Sequence, residues 1–161
     1  MEVAENFDFQ SLKIIRAIFR MREVLMRAPS APVRVPRALR TEMADLGWGI
    51  LQEQPGRLLV CGATCQPWLA SVRFTPLPAE DFAAYVEPDQ VKIAWTFEAQ
   101  PLGPTITRFA HETRAVATDA EGHEKFRRYW RWARFGIITI RLLLVPAIRR
   151  AAEERWQASA A

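Results

Sequence analysis

Four side chains are of the types that acid–base chemistry at neutral pH requires: His111, Tyr129, Glu112 and Asp119. A cyclase or dehydrase would place such groups within hydrogen-bond reach of a bound carbonyl, one donating a proton and another accepting it. His111 and Tyr129 are the pair that could share an apolar face. Glu112 falls on a solvated face, and Asp119 is explained as the first residue of a helix, where a carboxylate accepts free backbone N–H groups. Spacing argues against other chemistries. Ser11, Ser30, Ser71 and Ser159 lie in no Gly-x-Ser-x-Gly elbow, and the seven glycines form no phosphate-cradling loop. Cys61 and Cys65 lack the C-x-x-C spacing, and the two histidines lie far along the chain. Reduced, buried thiols with no metal and no cofactor are therefore expected.

The elements that must position these groups are two strands, 91–100 and 105–117, joined by Pro101-Leu102-Gly103-Pro104. Pairing them antiparallel around Leu102 and Gly103 sets Trp95 opposite His111, Phe97 opposite Phe109 and Ile93 opposite Thr113. The other face then pairs Glu98 with Arg108, and Lys92 with Arg114 beside Glu112. A slip of one residue would bring charge onto the apolar face, so the alternation itself selects the faces. One side becomes a wall of Val91, Ile93, Trp95, Phe97, Phe109 and Ala115 that carries two polar groups, His111 and Thr113.

From Asp119 the period becomes helical, with Phe126, Tyr129, Trp130 and Ala133 on one face and arginines over most of the rest. Gly136 is expected to interrupt this helix and Pro146 to kink its second segment. Earlier in the chain, residues 11–26 read as an amphipathic helix with Ser11 as N-cap. Pro29, Pro32 and Pro36 then make an extended connector. Residues 48–54 and 57–64 read as strands around a Pro55-Gly56 turn, and 82–86 as a short strand.

At 161 residues the chain has the length of one domain. It is half hydrophobic and a quarter charged, which excludes a disordered or low-complexity protein. Net charge is +4, and all but three of the 22 basic residues are arginine. They concentrate in residues 11–40 and 119–161, around a mildly acidic centre. Such ends suit an anionic membrane or nucleic-acid surface, although solvated helix faces explain them more simply and make nucleic acid the weaker partner. The start of the chain is no secretory signal. The longest apolar run, residues 136–148, is too short for a membrane span and holds Arg141 and Pro146. A cytoplasmic protein with no transmembrane segment is expected.

The W-x-F strand, the Pro-Leu-Gly loop and the T-R-x-x-x-E-T-R strand at 107–114 form a recognisable series. It continues through Ala117-Thr118-Asp119 and the Phe-Arg-Arg-Tyr-Trp run at 126–130. Over about residues 45–150 this series resembles the bacterial SRPBCC superfamily (START-like, Bet v 1-like). The resemblance implies an α+β helix-grip fold, in which a curved antiparallel sheet wraps a long C-terminal helix and encloses a cavity for apolar ligands. Members of the family are binders, lipid carriers and polyketide cyclases, so the fold does not fix the function.

The leading expectation is a non-catalytic module that binds a hydrophobic small molecule or lipid. Its cavity would be lined by Ile93, Trp95, Phe97, Phe109, His111, Thr113, Phe126, Tyr129, Trp130 and Ala133. The alternatives are a cyclase or dehydrase using His111 and Tyr129, and an arginine-rich peripheral surface. For His111 the plainer reading is a satisfied core histidine, and for Trp95, Phe97 and Phe109 plain core packing. The family's sheet begins with a strand ahead of the first helices, and that strand is missing from the pattern here. Its absence would leave a sheet edge open to a second copy of the chain, giving a homodimer.

Overall fold

The computed structural model of the chain describes residues 2–7, 13–27 and 38–160. Along them run α1 (Glu2–Glu5), α2 (Lys13–Met26), α3 (Leu39–Asp45), β1 (Gly49–Gln54) and β2 (Leu58–Cys65). There follow α4 (Ala79–Phe82), β3 (Val91–Pro101), β4 (Thr107–Ala117) and α5 (Ala120–Ala160). The strands form one antiparallel sheet in the order β1-β2-β3-β4. Among the described residues no strand precedes β1, and β4 pairs on one side only. The expected Ser11 cap and the connector prolines lie outside the described residues.

The first hairpin forms where the Pro-Gly signal puts it, with Gly56 at φ +75° in the turn. Leu51 is bulged out of register between Ile50 and Gln52. It lies over Gly62, where an added Cβ would run into the Leu51 side chain and the Phe82 ring. Phe82 ends α4, a helical turn where a strand over 82–86 was expected. Glu80 and Asp81 in its first turn suit the positive end of a helix, and the turn does not join the sheet.

The second hairpin keeps its expected faces but not its expected partners. Trp95 lies opposite Thr113, Phe97 opposite His111 and Ile93 opposite Ala115, while Glu98 faces Ala110, Lys92 faces Val116 and Arg114 faces Ala94. The strands continue to Pro101 and Thr107, and the Leu102 N–H donates to the Ile106 carbonyl at 2.8 Å. The turn is thus centred on Pro104. Side chains alternate with a period of two, so this two-residue shift leaves every residue on its face.

α5 is one continuous helix of 41 residues, so Gly136 does not interrupt it as expected, and Pro146 lies inside it. Asp119 caps it as expected: Oδ1 accepts the Gly122 N–H at 2.6 Å, and Oδ2 accepts the Asp89 N–H at 2.8 Å. Those bonds hold the Asp119 carboxyl below its ordinary range. Gly136 serves as a crossing point, since a Cβ there would lie 3.0 Å from Cγ2 of Ile18 on α2. The main core joins Leu59, Cys61 and Phe97 of the sheet to Leu144 and Ile148 of α5, with Ala4, Leu39 and Met43 around them. This α+β arrangement, a four-stranded antiparallel sheet with a long C-terminal helix, is compatible with a helix grip.

Candidate functional site

Odd-numbered residues from Val91 to Ala99 of β3 and from Phe109 to Thr113 of β4 share the core face, while Ala115, expected there, is exposed. Their rings and that of Trp48, just ahead of β1, make a continuous wall. Ring centroids lie 6.2 Å apart for Trp48–Trp95, 5.1 Å for Trp95–His111, 4.9 Å for His111–Phe97 and 5.5 Å for Phe97–Phe109. Phe97 is buried, whereas Ile93, Trp95, Phe109, His111 and Thr113 are half-buried.

His111 is fixed at both nitrogens. Its Nδ1–H donates to the Thr96 carbonyl at 3.1 Å, so Nε2 is the unprotonated nitrogen, and it accepts the Trp95 indole N–H at 2.6 Å. That second bond runs diagonally across the ladder, because Trp95 and His111 are one pair out of step. Burial pushes the His111 pKa down to about 4, opposed by the Thr96 bond and aided by the charge of Arg141. At neutral pH the imidazole is therefore uncharged, and the wall has no ionised group of its own.

The helix contributes a second group. Phe126 lies 6.4 Å from Tyr129 and 5.9 Å from Trp130, and Tyr129 meets Trp132 edge-on at 5.0 Å. Ala133 is buried, Phe126 and Tyr129 are half-buried, and Trp130 is 38 % exposed. Among the described residues, no ring contact joins this group to the sheet wall, and no hydrogen bond joins Tyr129 to His111. The Tyr129 hydroxyl makes no hydrogen bond to any described residue. The two concavities described, of about 230 and 250 Å³, lie elsewhere, at Glu98, Gln100, Arg108 and Ala110 and at Arg57, Leu58, Glu98, Ala99 and Gln100.

One residue that composition and spacing passed over belongs with the wall. Arg141 follows Ile140, which packs against the main core, and stands three residues before the fully buried Leu144. Its Nε and Nη2 are shielded from solvent and have no hydrogen-bond partner among the described residues. Its charge reaches His111 and Glu112 and disfavours protonation of both. The available signal was a lone arginine inside the apolar run 136–148.

The remaining chemistry is quiet. Burial pushes the Cys61 and Cys65 thiols up to about 11 and about 12, and both cysteines are free. Among the described residues, no three His, Cys, Asp or Glu side chains come together as metal ligands. Glu112 is exposed and bound to Arg114 at 2.8 Å. Several helical arginines are paired: Arg127 and Arg128 with Glu124, Arg149 with Glu153, and Arg155 with Glu2. No described helix is long and apolar enough to cross a membrane. Compared with protein-family models, curated proteins and solved structures, the chain matches none.

Proposed function

We propose that the chain is a helix-grip protein of SRPBCC type that binds a hydrophobic small molecule or lipid between the sheet wall and the first half of α5, without catalysing a reaction on it. The observation that carries this reading is the state of His111. An acid–base catalyst needs a nitrogen free to exchange a proton with substrate, and here one nitrogen donates to a carbonyl and the other accepts an indole N–H. What is left is a half-buried aromatic surface, uncharged near neutral pH, which suits apolar contact. Phe126, Tyr129 and Trp130 face solvent in part, and the Tyr129 hydroxyl offers a polar handle for the ligand.

Native mass spectrometry of protein purified from bacteria, followed by organic extraction, tests this directly. The expected result is a mass excess in the lipid or metabolite range that Trp95→Ala and Phe109→Ala reduce. A clean apo mass, together with no quenching of tryptophan fluorescence by brominated acyl chains, would overturn it. The same spectrum reads the oligomeric state, and hence whether a second copy closes the open edge of β4.

A further inference from the structure

Arg141, half-buried on α5, carries a charge for which the described residues supply no counter-ion. Its guanidinium is a planar fork of N–H donors with no acceptor of its own. Two of its nitrogens, Nε and Nη2, are shielded from solvent and meet no acceptor among the described residues, an arrangement that native proteins keep rare. Glu112, whose ionisation it favours, is already committed to Arg114 and lies on the exposed face. Among the described residues, no carboxylate forms an ion pair with Arg141.

We propose that Arg141 is the anchor for an anionic oxygen head group, a carboxylate or a phosphate ester, carried by a ligand whose apolar tail lies along the Trp95–Phe109 wall. This rests on the apolar-ligand reading above and names the ligand's class. The planar fork of a guanidinium matches the two oxygens of such a head group. A tail is required by the setting. A small hydrated anion would lose its water beside Ile140 and Leu144 with no apolar burial in return, whereas an acyl or aryl tail gains by leaving water at the same step. The neutral imidazole of His111 leaves Arg141 as the charge that selects the ligand's sign.

The test is tryptophan quenching by 9,10-dibromostearate and by its methyl ester, with inorganic phosphate as competitor, on the full chain and on Arg141→Leu and Arg141→Lys. In the unmodified protein the acid is expected to bind about 10- to 100-fold more tightly than the ester, the range of a charge-assisted hydrogen bond. Arg141→Leu should bring the acid down to the ester's affinity and leave the ester unchanged, while Arg141→Lys keeps part of the preference. Without ligand, Arg141→Leu should melt no lower than the parent, because an unpaired buried charge is replaced by an apolar side chain. Equal affinity for acid and ester in the parent overturns the anchor and leaves the apolar-ligand reading standing; no binding of either overturns both. Displacement of the acid by millimolar phosphate would show a site for free oxyanions and overturn the requirement for a tail. A lower melting temperature in Arg141→Leu would show a structural arginine, and the acid–ester comparison in the parent needs no variant.

Discussion

At the scale of single residues, His111 shows how a group with catalytic potential becomes structural. Its folded pKa, about 4, lies below the ordinary value of 6.5, so the unfolded chain takes up the proton more readily. Stability from this group is fully present above about pH 6.5 and is lost as the pH falls towards 4. The ceiling is about 3 kcal/mol, at 1.36 kcal/mol per pH unit, and the partial exposure of the ring lowers it. Urea denaturation across that window should show the slope in the parent and not in His111→Gln; a flat parent profile would mean that the imidazole protonates freely in the folded state. Asp119, held below its ordinary value of 3.8, titrates below this window and does not add to the slope within it. The alternation of β4 already showed the inward face, and burial is the first cause of the shift. The true register adds the diagonal bond from Trp95, which occupies Nε2.

Among elements, α5 departs furthest from its sequence expectation. Glycine weakens a helix by roughly 1 kcal/mol relative to alanine, and proline by about 3. Local preference therefore argued for a break at Gly136 and a kink at Pro146. The helix continues because Leu144 and Ile148 are held in the core and α2 leans on the glycine. Burial of several large side chains outweighs these local penalties. Replacing Gly136 by Leu gives the helix a better former but drives a side chain into Ile18. The expected outcome is a loss of about 1–3 kcal/mol, the usual range for overpacking, in a denaturant titration. A gain instead would show that α2 does not depend on that crossing.

At the scale of the whole molecule, the two halves of α5 have different duties. The first half carries the half-buried aromatic group, and the second closes the main core. A chain ending after Gly136 loses Ile140, Leu144 and Ile148 and should not unfold cooperatively on heating. A chain ending after Ala152 keeps all three and should do so. Beyond that point the long-range tie is the exposed Arg155–Glu2 pair at 2.7 Å, and such pairs contribute little. Circular dichroism melts of the two truncations decide the matter; a cooperative melt from the shorter chain would place the stabilising core elsewhere.

Periodicity alone determined which side of each long strand faces inward, where the first hairpin turns and where α5 begins. These are local properties, set by alternation, by turn residues and by a capping carboxylate. The partners within the second hairpin were not legible, because a shift of two residues preserves every face and only the closing geometry of the turn distinguishes the alternatives. The residues of the apolar wall were legible as a set, and so was the nearness of His111 to Trp95, but the diagonal bond between them follows only from the observed register. Arg141 was legible as a cation in an apolar run and no more. How far such a cation is shielded depends on how a helix of 41 residues is laid over four strands, and that is settled by packing between segments far apart in sequence.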